Sequence, residues 1–210
     1  KNIKKQIILV DDNSSDGTKE IIKKKLIKKV DHVIFHKKNQ GKGAAIISSL
    51  RLIRGNIVLI QDADLEYNPK DYYKLLKPFK NKDIKVVYGS RVLGRKKKLL
   101  SLYLQSFSKS FRIFGNYVLT LISNKINNQS LTDVHTCYKV FRKDIFFKLK
   151  IKEKGFSFCP EVTTKLSKLN CSIIEVPINY NGREVKDGKK IRFKDAIFAL
   201  TTICKYKYFN

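Results

Sequence analysis

Short apolar runs alternate with helix-patterned stretches through roughly the first ninety residues, and each run ends in a polar turn. The runs are Gln6–Val10, Val33–Phe35, Ile57–Gln61 and Val86–Tyr88. Between the first two, Asn13-Ser14-Ser15-Asp16-Gly17-Thr18 is dense in turn and capping residues, and a helical pattern continues to about Lys28. The small, apolar Ala44–Ile53 stretch reads as a second helix. Asn68-Pro69 supplies a cap and a proline at the first helical position for a third, running to about Phe79. A strand that recurs after each helix predicts an α/β fold with a mostly parallel sheet flanked by helices. Val134–Phe141, expected to run antiparallel, and Ser172–Ile178 add later strands. The first strand–helix unit reads as lacking an opening strand, and the chain contains no Met, so residues 1–210 are expected to be a single, N-terminally incomplete domain.

In such a sheet the loops that follow the strands gather along one edge, where open α/β sheets bind ligands. Two of those loops carry paired acids. Asp62 and Asp64 are spaced i, i+2, so in extended backbone their carboxylates point to one side. Two such charges repel unless a cation lies between them. Hard divalent ions, Mg²⁺ or Mn²⁺, take oxygen ligands and complete their shell with water and substrate phosphates. Asp11 and Asp12 can accept hydrogen bonds from a nucleobase or ribose, with Ser14, Asp16 and Gly17 pinning the turn. Gly41-Lys42-Gly43 offers close backbone approach and a cation before a helix N-terminus, which suits phosphate. Gly89-Ser90-Arg91 supplies a second cation. Together these groups describe a nucleoside-diphosphate site.

Composition narrows the partners less than its extremity suggests. There are 45 Lys and Arg residues against 18 Asp and Glu, a net charge of +27. Anionic membrane, nucleic acid and a lysine-rich compositional bias all account for such a balance. Lysine far outnumbers arginine, which weighs against bidentate reading of a polyanion. The four cysteines show no C-x-x-C pairing, and His32, His36 and His135 have no metal-ligand spacing. The longest uncharged stretch, Ile113–Asn124, falls short of the about 20 apolar residues a bilayer span needs. Around it, about residues 99–126 interleave aromatic and aliphatic residues with Lys and Arg. Tyr103, Phe107, Phe111, Phe114, Val118, Leu121 and Ile122 fall at helical steps. That segment reads either as a helix packed on the sheet or as an amphipathic, membrane-facing one beside the Arg95–Lys98 cluster.

The motifs taken together resemble a known family. Val10-Asp11-Asp12-Asn13-Ser14-Ser15-Asp16-Gly17-Thr18, Asn39-Gln40-Gly41-Lys42-Gly43, Gln61-Asp62-Ala63-Asp64-Leu65, Tyr88-Gly89-Ser90-Arg91 and Leu131-Thr132-Asp133 occur in order, followed by Tyr138-Lys139-Val140-Phe141-Arg142, Gly155-Phe156-Ser157-Phe158 through Glu161, and Glu175-Val176-Pro177-Ile178. This series is similar to family 2 glycosyltransferases of the dolichol-phosphate mannose synthase-like group, which have the GT-A fold. The resemblance implies that Asp11 and Asp12, with Ser14, Asp16, Lys42 and Ala63, contact the donor. It further implies that Asp62 and Asp64, with Glu66, hold a Mg²⁺ or Mn²⁺ ion, that Arg91 faces the acceptor phosphate and that Asp133 lies near the reacting sugar. Arg183 and Lys190 are implied to close over the phosphates, and Glu161 to lie near the acceptor side. A Q-x-x-R-W motif is absent, which favours single-sugar transfer over processive synthesis.

The implied reaction is inverting transfer of one hexose from a nucleotide-sugar, of the GDP-mannose or UDP-glucose type, to a polyprenyl or dolichyl phosphate. It would take place peripherally at the cytoplasmic face of a membrane. A same-fold transferase acting on a soluble glycan or protein is the alternative. A basic nucleic-acid-binding domain is a distant third reading, because it leaves the acidic loops unexplained: carboxylates repel phosphate. No nucleic acid is therefore expected as a partner.

Overall fold

The computed structural model describes residues 3–95, 107–182 and 193–209, with the side chains of residues 95, 107–112, 193 and 194 left aside. Strand β1 (Ile8–Asp11) leads through a turn to α1 (Thr18–Ile21), which continues as a π-helical turn over Ile22–Leu26. Just before α1, whose N-cap is Gly17, Asp16 closes the turn by accepting the Thr18 amide at 3.1 Å. Then follow β2 (His32–Phe35), α2 (Lys42–Ser49), β3 (Ile57–Leu59) and α3 (Tyr72–Leu76). Asn68 accepts the Lys70 amide at 3.0 Å, as its capping position predicts. The segment ends in a 3₁₀ turn at Lys77–Lys80, where Pro78 removes a helical donor. The remaining elements are β4 (Val86–Ser90), α4 (Arg91–Arg95), α5 (Phe107–Asn127), β5 (Lys139–Arg142), α6 (Lys143–Lys148), α7 (Phe158–Lys168), β6 (Ile173–Pro177) and α8 (Phe193–Cys204).

Four strands form a sheet in the order β3-β5-β4-β6, and β1 pairs in parallel with β2 beside it. β3, β4 and β6 run one way, and β5 is inserted antiparallel between β3 and β4. The expected antiparallel strand is therefore present but shorter: residues 134–138 enter it as irregular chain. Their backbone is diverted by the Cys137 and Lys139 turn and by the side-chain contacts described below.

All five residues of β4 are buried, as befits a strand covered on both faces. Its side chains alternate between two cores. Val86 and Tyr88 pack with Phe141, Ile145, Phe146, Phe158, Val162 and Leu166. Val87 packs on the other face with Leu75, Phe79, Tyr138, Val140 and Ile178. By contrast β1 and β3 are only partly buried, and among the described residues neither has a strand on its second edge. Helix α2 lies against β1. The Gln6 side chain ties the start of the chain to the approach to β3, donating to Leu52 O at 2.8 Å and accepting the Arg54 amide at 2.9 Å.

Candidate active site

β3 and β4 run parallel, so the loops that leave them emerge at one edge, and the Asp12–Gly41 and Lys42–Asp62 contacts bring the loop after β1 beside them. The loop after β1 uses its acids structurally. Asp11 is buried and accepts the Ser14 amide at 3.3 Å. The Asp12 carboxylate accepts the amides of Gln40 (2.9 and 3.1 Å) and Gly41 (2.6 Å) and pairs with His36 Nδ1 at 2.6 Å. His36 Nε2 reaches Ser48 Oγ at 2.8 Å, so the knot joins β1, β2, the 39–41 loop and α2. Partial burial disfavours the Asp12 charge, but His36 and the two amides outweigh it and hold its pKa below the ordinary value. Ser14 and Asp16 lie on the exposed turn that follows. His36, given no role by its sequence spacing, thus organises this corner.

The glycines of the Gly41-Lys42-Gly43 loop make room for the chain itself. Gly41 has φ +94, and a Cβ there would lie 2.7 Å from Lys154 O. One on Gly43 would lie 1.9 Å from Glu153 O. Ala44 donates its amide to Lys154 O at 3.0 Å, so this part of the α2 terminus already has a partner. The 152–154 segment is in turn held by buried Glu161 of α7, which accepts the Lys152 and Glu153 amides at 2.8 and 2.9 Å. The close backbone approach expected for phosphate is therefore made by residues 153–155.

That packing aims Lys42 at the acidic loop. Its Nζ lies 2.6 and 2.7 Å from the two oxygens of Asp62. Asp64 accepts the Glu66 amide at 3.1 Å, and between them Leu65 adopts φ 62 while remaining 92% exposed. A left-handed leucine is strained backbone, of the kind held in place at functional turns. Glu66 is buried and accepts the Tyr180 hydroxyl at 2.7 Å, so it faces the segment after β6. Among the described residues no three His, Cys, Asp or Glu side chains are grouped for a metal ion. Asp62 and Asp64 nevertheless supply hard oxygen donors on one turn, a pair that fits an ion whose shell is completed by diphosphate and water.

The loop after β4 presents the second cation. Arg91 donates from Nε (2.7 Å) and Nη2 (2.8 Å) to Asp133, and its backbone amide donates to the same carboxylate at 3.0 Å. Burial disfavours both charges, yet mutual attraction leaves the Asp133 pKa below its ordinary value and the Arg91 pKa above. Glu175 of β6 orients this pair by accepting the amides of Thr132 (2.7 Å) and Asp133 (3.0 Å). The Arg91 guanidinium lies 5.1 Å from the Tyr180 ring centre, and Tyr180 packs on Tyr67 at 5.1 Å. Tyr67 accepts the Cys137 amide at 3.0 Å, and the Cys137 thiol, pushed up to about 12 by burial, lies beside Lys42 and Asp62. A chain of contacts through Cys137, Tyr67 and Tyr180 thus connects the Lys42–Asp62 pair to the Arg91–Asp133 pair. Arg183 and Lys190 lie outside the described residues.

Beneath the site lies a lysine that sequence reasoning overlooked. Lys139 is fully buried, donates to Val134 O at 2.8 Å and stands 3.6 Å from the Tyr88 ring centre. Burial pulls its pKa from 10.5 down to about 8. The unfolded chain therefore binds the extra proton between about pH 8 and 10.5, and stability rises with pH across that window. Urea unfolding of wild type and Lys139→Met at the two ends should show the difference between them move by about 3 kcal/mol in favour of wild type at high pH. Parallel pH profiles would contradict the assignment. Burial likewise lowers the pKa of His135, from 6.5 to about 4, so it is neutral at physiological pH.

The model of glycosyl transferase family 2 matches residues 1–149. The chain belongs to that family. Among similar proteins, an undecaprenyl-phosphate mannosyltransferase from Micrococcus luteus is 28% identical over 87% of this chain and 74% of its own length. A dolichyl-phosphate beta-glucosyltransferase from Trichomonas vaginalis is 27% identical over 98% of this chain and 62% of its own. Across the first matching relatives this family 2 chain spans from 40% to 82% of their lengths. In structure it is similar to glucosyl-3-phosphoglycerate synthase from Mycobacterium tuberculosis in complex with Mn²⁺, UDP and phosphoglyceric acid. The TM-score is 0.68 at 14% identity, covering 98% of this chain and 68% of that one. The expected GT-A fold is therefore the fold found.

Proposed function

We propose that this family 2 chain transfers a single hexose, with inversion, from a nucleotide-sugar to a polyprenyl or dolichyl phosphate. The observation that supports the reading is the shared edge of parallel β3 and β4, where the loop after β3 carries the Asp62–Asp64 turn with Lys42 and the loop after β4 carries Arg91 paired to Asp133. The names of the polyprenyl-phosphate relatives support the acceptor, and the nucleotide complex of the structural neighbour supports the donor. Asp62 and Asp64 would hold a Mg²⁺ or Mn²⁺ ion, which neutralises charge on a departing diphosphate. Glu66, which accepts the Tyr180 hydroxyl, is the third residue proposed to hold that ion. Asp11 and Asp12 form the floor beneath the nucleotide, with Ser14, Asp16 and Ala63 at its rim. Arg91, its plane fixed by Asp133, positions an acceptor phosphate that is already anionic and needs little help from a base. Asp133 sets that geometry from beneath the reacting sugar, so that positioning and electrostatics carry the rate.

The acceptor fits a peripheral place on the cytoplasmic face of a membrane. Among the described residues no helix is long and apolar enough to cross one. Among the described side chains of helix α5, Thr120, Ser123 and Asn127 are buried while Phe114, Tyr117 and Leu121 are exposed. The helix packs against α8, which exposes Ile197 and Phe198. Aromatic and aliphatic rows left open on a strongly basic protein suit an anionic lipid surface.

The test is transfer of radiolabel from GDP-mannose and UDP-glucose to polyprenyl phosphate in anionic vesicles with Mn²⁺. Lipid-extractable product is expected, and Asp64→Ala should reduce it by about 10²–10³-fold, the equivalent of several kcal/mol of charge stabilisation. Equal product from the variant would falsify the metal role. Water-soluble product independent of lipid phosphate would instead identify a glycan or protein acceptor.

A further inference from the structure

Lys42 stands closer to the metal-type carboxylate than a residue reserved for phosphate needs to be. One ammonium engages both oxygens of Asp62, at 2.6 and 2.7 Å, with the two side chains 16% and 24% exposed. The contact is built in. Gly41 at φ +94 and Gly43 against Glu153 O set the backbone from which Lys42 projects, and Glu161 holds the segment they pack on. Asp64, two residues further on, directs an oxygen into its own turn instead. A divalent ion on Asp62 would lie within a few ångströms of that ammonium, and at such separations like charges in a partly buried setting repel strongly. The two cations cannot share the carboxylate without cost.

We infer that Lys42 is an internal counter-ion that competes with the divalent ion for Asp62, and that the donor's diphosphate draws it off. Ion and nucleoside diphosphate then bind cooperatively: the ion displaces Lys42 from Asp62, and the released ammonium gains two phosphate groups as new partners. Because binding couplings are reciprocal, each ligand must tighten the other by the same factor. The inference rests on the proposed metal role of Asp62 and Asp64, and it adds a coupling residue to it.

The test reads Mn²⁺ binding, not turnover, from the electron paramagnetic resonance of free Mn²⁺. Wild type should bind MnCl₂ weakly alone and more tightly with GDP or UDP. Lys42→Met should bind Mn²⁺ alone about tenfold more tightly, the equivalent of one released ion pair. Its enhancement by nucleotide should fall by about the same tenfold, and what remains is direct coordination of the ion by the diphosphate. Lys42→Arg, which retains the charge, should behave as wild type, and Lys42→Gln repeats the test should the methionine variant fold poorly by circular dichroism. Mn²⁺ affinity in Lys42→Met or Lys42→Gln no greater than wild type, or an undiminished nucleotide effect, would overturn the coupling alone. If Asp64→Asn leaves wild-type Mn²⁺ binding with nucleotide unchanged, both the coupling and the metal reading fall.

Discussion

Arg91→Ala is expected to cost about 3–5 kcal/mol of stability as well as the activity, because it strands the Asp133 carboxylate in a buried site. Asp133 is 3% exposed, and Arg91 is the ion-pair partner found for it. A domain whose whole stability is on the order of 5–15 kcal/mol would show this as a large fall in Tm. Replacing both partners, Arg91→Met with Asp133→Leu, removes the stranded charge and should recover much of the stability. It should recover none of the transfer, since neither the phosphate-facing cation nor its orienting carboxylate remains. Thermal unfolding and vesicle transfer on the four-member cycle separate the two effects. An Arg91→Ala variant that melts with wild type would show that the pair carries no structural weight. The pH dependence has a defined sign. The Asp133 pKa is depressed below 3.8, so the contribution of the pair is complete at neutral pH and is lost as acidification protonates the carboxylate.

Gly43→Ala should be nearly as damaging although it adds one methyl group. The new Cβ would lie 1.9 Å from Glu153 O, a backbone atom that cannot step aside while Glu161 holds the Lys152 and Glu153 amides. Either α2 or the 152–154 segment must move, at about 3 kcal/mol by the measure of overpacked interiors. Either movement withdraws Lys42 from Asp62. Gly115→Ala, on α5, is the internal control. A Cβ there meets nothing within 4 Å, and alanine in a helix is better by about 0.5–1 kcal/mol. Urea unfolding of the two variants should therefore move in opposite directions. A Gly43→Ala variant as stable as wild type would mean that the close approach is not obligatory.

Much of this arrangement is legible in the chain alone. Strand and helix positions follow from apolar runs and caps; Asn68 caps and Asp16 pins its turn as their types predict. The D-x-D turn after β3 and the arginine after β4 arrive at one edge because parallel strands deliver their loops there. The element boundaries shift by one to a few residues where a local device intervenes, as Pro78 does in the third helix and the Cys137 turn does before β5.

The partners of each charge were not legible, because they come from chain segments far apart. Asp12 and His36 are 24 residues apart, Lys42 and Asp62 are 20, and Arg91 and Asp133 are 42. Sequence types announce a carboxylate or a cation, and they say nothing of which one it will meet. The same holds for the two glycines flanking Lys42, which look like phosphate-loop residues and in fact admit residues 153–155. Local pattern, then, determined the order of elements and the edge to which the chemistry is carried. Tertiary packing alone decided which charges neutralise one another inside it, since a salt bridge depends on distance in space and a sequence motif records only distance along the chain.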